Sequence, residues 1–146
     1  MGMYDESMEK RVWERVRSEA PQKSLQVLAA AEKANAAVYL RLSRLAQGPE
    51  KALLRQLFER ERRHGHLLGG IHFLTEDKAL SVRTAAPPAD TMALALRKCY
   101  AATLQAVAEY DRRSQDPEYG HAFARMAAQE REHCTMLLEL LGSTGR

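Results

Sequence analysis

Apolar side chains recur every three or four residues along four long stretches of the chain, which are otherwise rich in Ala, Glu, Arg and Gln. This spacing puts the apolar side chains on one face of an α-helix, and these residue types favour helix. Proline and glycine separate the stretches, at Pro21, Gly48-Pro49, Pro87-Pro88, Pro117 and Gly142. The pattern predicts an all-α fold with long helices over residues 24–46, 49–75, 90–114 and 117–141.

The predicted connections between these helices differ in length. Two residues separate the first helix from the second, and two separate the third from the fourth, so each pair is expected to form an antiparallel hairpin. Residues 76–89 lie between the hairpins and can span roughly 45 Å when extended, which is enough to run the length of the bundle. The sequence therefore predicts a four-helix bundle made of two antiparallel hairpins and one long crossover.

The chain ahead of the first long helix has an amphipathic pattern of its own. Val12, Trp13 and Val16 fall on one side of a predicted short helix over residues 6–19. We expect residues 1–23 to form this helix and a linker, and residues 24–146 to form the bundle. Trp13 would contact either its own bundle or the second subunit of a dimer.

Composition places the chain among single-domain globular proteins. Its 146 residues are enough to bury a core, and a charged fraction of 28% is ordinary for such a domain. No apolar run approaches the roughly 20 residues that a membrane span needs, and the N-terminus shows no secretory signal pattern. With only two cysteines, a secreted disulfide framework is not expected. We therefore expect a cytoplasmic protein.

The formal net charge of +3 raises the question of nucleic acid binding. The basic residues alternate with acidic ones along the predicted helices, as they do from Glu59 to Arg63. Mixed charge of this kind is typical of a solvated helix face rather than of a surface that follows a phosphate backbone. A nucleic acid is therefore not the expected partner.

The two predicted hairpins repeat one another. The first contains Tyr39-Leu-Arg-Leu-Ser43, Pro49-Glu50 and Glu61-Arg-Arg-His64, and the second contains Tyr110-Asp-Arg-Arg-Ser114, Pro117-Glu118 and Glu130-Arg-Glu-His133. From the tyrosine to the first glutamate of Glu-x-x-His there are 22 positions in one hairpin and 20 in the other. Such a duplication is a far more specific signal than a single Glu-x-x-His. Both tyrosines are predicted to be core aromatics with hydrogen-bonded hydroxyls.

The Glu-x-x-His pairs have the spacing of metal ligands on one helix face. Residues three positions apart lie side by side, so Glu61 can act with His64, and Glu130 with His133. Both pairs fall on the apolar faces of their helices, and Glu32 falls on that of the first helix. A carboxylate buried without a partner is costly, so three of them indicate a cation in the core. The alternative is ordinary surface ion pairs, which the duplication and the apolar flanks oppose.

The duplicated hairpin resembles the rubrerythrin and ferritin-like family of di-iron carboxylate proteins over residues 24–141. In such bundles two helices each supply one glutamate, and the other two each supply a Glu-x-x-His pair. The resemblance implies a ferritin-like four-helix bundle with iron bound at its centre. It also implies that the metal ligands are Glu32, Glu61, His64, Glu130 and His133.

The sixth ligand of that pattern is missing. The repeat places it seven residues before Tyr110, as Glu32 lies seven residues before Tyr39, and this position is Thr103. No nearby residue supplies the carboxylate, since Glu109 falls on another face. Four outcomes stay open at this point: water completes the site, one metal is held weakly, the site is mononuclear, or the site is vestigial.

The resemblance implies a redox function. Expected reactions are the reduction of peroxide or oxygen, or the oxidation of ferrous iron, in defence against oxidative stress. The chain lacks the Cys-x-x-Cys motifs of the rubredoxin-like domain found in many rubrerythrins, so an external electron donor is expected. A homodimer is also expected. Two other functions compete: a non-catalytic metal-binding or assembly protein with an incomplete site, and ferritin-like iron storage.

The two cysteines lie one helical turn from the predicted site. Cys99 is four residues before Thr103, and Cys134 is four residues after Glu130. Free cysteines most often behave as small buried apolar side chains. The competing hypothesis is a thiol pair beside the metals that tunes or senses them.

Overall fold

The computed structural model describes residues 23–144, in which every regular element is an α-helix. The four helices are α1 (Leu25–Leu45), α2 (Gly48–Glu76), α3 (Met92–Arg113) and α4 (Gly120–Thr144). The predicted all-α, four-helix architecture is confirmed. The short helix predicted over residues 6–19 lies outside the described residues. Within the described range, no helix combines the length and the apolar content that crossing a membrane requires.

The helices pack as two pairs. α1 packs along α2, and α3 packs along α4. Only two residues separate α1 from α2, which forces α2 to return antiparallel to α1. Residues 114–119 join α3 to α4 and bring those helices side by side in the same way.

Side-chain caps determine where α1 and α3 begin. The Ser24 hydroxyl accepts the backbone N–H of Val27 at 3.1 Å, and the Thr91 hydroxyl accepts that of Leu94 at 3.3 Å. These bonds satisfy backbone donors that have no partner within the first helical turn. Both helices therefore begin within two residues of their predicted starts.

The start of α4 differs from the prediction. The sequence pattern predicts a helix from Pro117, whereas the chain continues in turns there and the helix begins at Gly120. The reason is a competing local interaction, because the Asp116 carboxylate accepts the backbone N–H groups of Glu118 and Tyr119, each at 2.8 Å. Aspartate side chains commonly stabilise turns in this way.

Gly120 is expected to be required at this turn for steric reasons. A Cβ atom there would lie well inside van der Waals contact of the Ser114 carbonyl oxygen, which belongs to the backbone. Gly120→Ala should therefore lower the free energy of unfolding by about 1–3 kcal/mol. The control is Gly70→Ala, where no heavy atom lies within 4 Å of the added methyl group and helix stability should rise by about 1 kcal/mol. Urea denaturation measures both, and equal changes would contradict the steric explanation.

The long connection between the hairpins runs along α1. Side chains of α1 donate hydrogen bonds to its carbonyl oxygens in chain order: Gln26 to Ser81 at 3.2 Å, Lys33 to Val82 at 3.3 Å and Arg41 to Asp90 at 2.8 Å. These contacts extend from the first turn of α1 to near its end. The crossover therefore traverses the bundle, and α3 starts at the end where α2 also starts.

The core consists of two apolar layers with a polar band between them. The Leu54 layer, toward the α1–α2 turn, contains Tyr39, Leu42, Leu54, Leu57, Ala95, Leu96, Cys99, Leu137 and Leu140. The Leu68 layer, toward the α3–α4 turn, contains Leu28, Ala29, Leu68, Ile71, Tyr110, Phe123, Met126 and Ala127. Each helix contributes to both layers, so the band between them lies at the middle of the bundle.

Candidate metal centre

The polar band contains buried acidic and histidine side chains. Glu32 comes from α1, Glu61 and His64 from α2, and Glu130 and His133 from α4, and each is between 0% and 3% exposed. On each helix these residues lie three or four positions from buried apolar residues. The same helix face therefore carries the site residues and the core residues. The structure brings together in one site the five residues that the resemblance indicates as ligands.

Four of these side chains form a compact set. One ligand atom from each of Glu32, Glu61, His64 and Glu130 lies within 4.8 Å of the others. His64 Nδ1 is 2.9 Å from Glu130 Oε1 and 3.6 Å from Glu32 Oε2. Carboxylate oxygens and an imidazole nitrogen at these separations can bind a divalent cation placed among them. We call these four residues the Glu32 set.

His133 lies on the other side of the shared carboxylates. Its Nδ1 is 2.8 Å from Glu61 Oε1 and 3.3 Å from Glu130 Oε2. Glu130 thus contacts both histidines through different oxygens, and the imidazole rings stack with their centroids 5.9 Å apart. Glu130 is therefore the group that a cation on either side would contact.

Several buried polar atoms of the site fit a metal. Glu32 Oε2 and Glu61 Oε2 have no hydrogen-bond partner among the residues that the structure describes. Buried carboxylate oxygens are costly without a donor or a cation. Three carboxylates and two imidazoles are ligand types that bind iron, manganese and zinc in proteins. The residues present therefore fit a divalent transition metal.

Two further side chains orient the ligands. The Tyr110 hydroxyl donates to Glu32 Oε1 at 2.6 Å, and His64 Nε2 donates to the Gln129 side-chain oxygen at 2.6 Å. With its Nε2 proton directed to Gln129, His64 presents Nδ1 to the carboxylates. The hydrogen-bonded hydroxyl predicted for Tyr110 is confirmed. Sequence reasoning missed Gln129, whose only signal is its place directly before Glu130.

Burial and the two histidines determine the electrostatics of the cluster. Burial lowers the pKa of His64, but Glu130 and Glu32 outweigh it through hydrogen bonds and charge and raise that pKa to about 10. Burial and the charge of Glu130 raise the pKa of Glu32 to about 7. For Glu130, burial alone would raise the pKa, but hydrogen bonds from His133 and His64 hold it well below its usual range. The cluster therefore retains a proton on His64 near neutral pH.

Metal affinity is expected to rise with pH, because a cation must displace this proton. Below the His64 pKa of about 10, each pH unit should change the apparent affinity by about tenfold, and below about pH 7 the Glu32 proton adds to the dependence. Titration with Mn²⁺ between about pH 6 and 8 gives the slope, and proton release in weak buffer gives an independent value. An affinity independent of pH over this range would contradict the assignment of His64 as a ligand.

The position of the expected sixth ligand holds no carboxylate. Thr103 is fully buried, and its hydroxyl donates to the Cys99 carbonyl oxygen, one turn earlier in α3, at 2.7 Å. The Tyr39 hydroxyl lies beside Thr103 and Cys99 but has no hydrogen bond of normal geometry within the described range. The hydrogen bond predicted for Tyr39 therefore stays a prediction. Glu109 stays outside the cluster, as its helical position predicts, and pairs with Arg112.

Tyr110→Phe is expected to have a larger effect than Tyr39→Phe. It removes the hydroxyl bonded to Glu32 and should cost about 1–3 kcal/mol of unfolding free energy and about 10- to 100-fold in metal affinity. Tyr39→Phe removes a hydroxyl that makes no hydrogen bond of standard geometry in the described part of the chain and should change stability by less than about 1 kcal/mol. Urea denaturation and metal titration test both variants. A larger effect at Tyr39 would contradict these roles.

The two cysteines have different surroundings. Cys99 is buried in the Leu54 layer, and burial raises the pKa of its thiol to about 11. Cys134 is half-buried on α4, and both thiols are free. A protonated, buried thiol is a poor nucleophile and a poor metal ligand. Cys99 therefore fits the interpretation of a small apolar side chain, and a metal-sensing thiol pair stays a prediction.

A groove on the α1–α2 face reaches the cluster. It has a volume of about 910 Å³ and is bordered by residues 79–82 of the crossover. Small residues line it where the two helices meet, namely Ala36, Gly65 and Gly69, and Glu61 forms part of the same lining. The groove therefore gives small molecules a path from the surface to a residue of the cluster.

Comparisons with known proteins leave the site to be interpreted from its own geometry. No protein-family model, curated protein or solved structure matches the chain. The structure itself shows a four-helix, all-α bundle with a buried cluster of glutamate and histidine that can hold a metal.

Proposed function

We propose that this protein is a redox protein of the rubrerythrin type, in which a ferritin-like bundle holds iron among Glu32, Glu61, His64, Glu130 and His133. The observation that carries the proposal is the convergence of three buried carboxylates and two buried histidines from three helices. Buried ion pairs contribute little to stability, because desolvation offsets their attraction. Titratable groups with perturbed pKa values are instead concentrated at functional sites.

The residues of the chain bind, orient and shield the metal. Ferrous iron, when bound, supplies electrons and coordination positions that are open to peroxide or oxygen. Glu130 contacts both histidines, while Tyr110 orients Glu32 and Gln129 orients His64. The two apolar layers cover the cluster on the sides that face the two ends of the bundle. The groove on the α1–α2 face is the route by which peroxide or oxygen reaches it.

Turnover requires protons and electrons. Reduction of peroxide to water consumes two protons and two electrons, and because metal binding displaces the proton of His64, the protons come from solvent. The electrons come from an external donor. In this proposal the protein is a cytoplasmic homodimer that reduces peroxide or oxygen, or oxidises ferrous iron, in defence against oxidative stress.

A non-catalytic metal-binding or assembly role is the second candidate. It is favoured by Thr103, which supplies no carboxylate where the repeat requires one and directs its hydroxyl to Cys99. In this role the metal would stabilise the bundle, because binding free energy adds to folding free energy.

Metal content and peroxide consumption together distinguish the two roles. The protein is loaded anaerobically with ferrous iron beside Glu61→Ala and a control, Glu59→Ala, which changes an exposed glutamate of the same helix. The proposal expects iron in the parent and the control, no iron in Glu61→Ala, and peroxide consumption that depends on iron. Iron without peroxide consumption would support the non-catalytic role. A parent that binds no iron would refute the proposed function and leave the non-catalytic role.

A further inference from the structure

The internal repeat divides the site into two halves that share Glu61 and Glu130. Exchanging α1 with α3 and α2 with α4 relates one half to the other. The Glu32 half contains Glu32, His64, Tyr110 and Gln129, and the Thr103 half contains the corresponding residues Thr103, His133, Tyr39 and Arg60. If the halves were equivalent, each would hold one cation.

The two tyrosines show the first difference between the halves. Tyr110 donates to the Glu32 carboxylate at 2.6 Å. Tyr39 lies beside Thr103, whose hydroxyl donates to the Cys99 carbonyl oxygen. The buried Tyr39 hydroxyl faces Thr103 and the Cys99 thiol but makes no hydrogen bond of standard geometry in residues 23–144. A buried hydroxyl costs free energy unless it is hydrogen-bonded. Tyr39 thus occupies the place of a donor to a carboxylate that this chain lacks.

The two histidines show the second difference. His64 has partners at both nitrogens, because Nε2 donates to Gln129 and Nδ1 contacts Glu130. His133 contacts carboxylates through Nδ1 alone, and its Nε2 is buried without a partner among the described residues. Arg60 stands in place of Gln129, has no acceptor atom and pairs with a surface glutamate. His133 therefore lacks the outer hydrogen bond that orients metal-binding histidines.

Formal charge disfavours a second cation. Three carboxylates with neutral histidines carry a charge of −3. One divalent cation leaves −1, which a single retained proton can neutralise. Two cations leave +1, and the cluster has no fourth carboxylate to offset it. An uncompensated buried charge is unfavourable. A fourth carboxylate at position 103 would bring the charge with two cations to zero.

We infer that the Glu32 half, together with the shared Glu61 and Glu130, binds one divalent cation and that the Thr103 half does not bind a second with comparable affinity. The Glu32 set supplies its ligand atoms within 4.8 Å of one another without His133. The inference rests on the proposed metal binding. It assigns Thr103 as the residue that limits the site to one metal.

Stoichiometry tests this assignment. Anaerobic titration with ferrous iron is expected to give one metal per chain in the parent. Thr103→Glu supplies a carboxylate beside the Tyr39 hydroxyl and should raise the content to two per chain. The control is Thr103→Gln, which has the same size without the charge and should stay at one.

Two histidine variants test the same inference without a change at Thr103. His64→Ala should weaken binding of the single metal by at least about 100-fold, and His133→Ala by less than about tenfold. The two substitutions remove the same side chain from equally buried positions, so differences in packing do not account for unequal losses. Circular dichroism verifies that both remain helical.

The outcomes separate this inference from the proposed function. Two equivalent metals per chain in the parent, or equal losses in the two histidine variants, would overturn the inference and leave metal binding intact. A folded Thr103→Glu variant that still binds one metal would also overturn it. A parent that binds no metal would instead refute the proposed function.

Discussion

Glu130→Gln is expected to weaken metal binding by more than about 100-fold. Loss of a residue that only orients a metal ligand costs up to about 100-fold, and Glu130 is itself a candidate ligand. Glu130 contacts His64 at 2.9 Å through one oxygen and His133 at 3.3 Å through the other. Glutamine keeps the shape of the side chain but removes its negative charge and replaces one oxygen by an NH₂ donor. A donor directed at a cation is repulsive, so the variant should lose more than one favourable contact.

The matched control for this experiment is Glu132→Gln. Glu132 lies two residues away on α4, is exposed, and pairs with Arg60 at 2.6 Å on the surface. Competition with a chelator of known affinity, under anaerobic conditions, gives the metal affinity of both variants. Equal weakening in the two would mean that general surface charge, and not the cluster, determines binding.

Metal loading is expected to raise the free energy of unfolding by about 4 kcal/mol when free metal is about 1,000 times its dissociation constant. The unfolded chain cannot keep the ligand atoms of the Glu32 set within 4.8 Å of one another, so the native state binds preferentially. A cation also relieves the repulsion between Glu32 and Glu130, which contributes to the raised Glu32 pKa. For a domain of this size, the midpoint temperature should rise by roughly 10–20 °C.

Thermal denaturation with excess metal and with chelator, in the parent and in Glu130→Gln, measures this stabilisation. A 100-fold weaker affinity removes about 2.8 kcal/mol of the effect, so the variant should gain only about 1 kcal/mol at the same metal concentration. Equal stabilisation of the two proteins would show that the metal acts elsewhere, for example at exposed histidines such as His66 or His121.

Helix prediction succeeded where the apolar spacing was long and regular. α2 was predicted over residues 49–75 and spans Gly48–Glu76. At α4 both ends differ from prediction, because Asp116 stabilises a turn before the helix and Gly142 does not end it. A glycine near a helix terminus costs only about 1 kcal/mol, which neighbouring residues can offset. Periodicity therefore locates a helix, while local side-chain interactions determine its ends.

The duplicated motif made the five ligand candidates recognisable without a structure. Repetition of Glu-x-x-His on two apolar faces is a local property, since positions three apart always lie side by side on a helix. The residues that orient these ligands could not be predicted from the sequence in the same way. Gln129 reaches His64 across 65 positions of the chain, and Tyr110 reaches Glu32 across 78. Such contacts depend on how the two hairpins face each other, which no local pattern specifies.

By itself, the sequence determined the helical pairs, the acidic and histidine faces directed into the core, and the absence of a carboxylate at Thr103. Its spacing could not distinguish a metal site with two equal halves from one with unequal halves. Only the tertiary structure decided that Glu32 and His64 have outer partners, while the Tyr39 hydroxyl and His133 Nε2 make no hydrogen bond of standard geometry within residues 23–144. The reason is physical: periodicity assigns a side chain to a helix face, whereas its hydrogen-bond partners come from other helices.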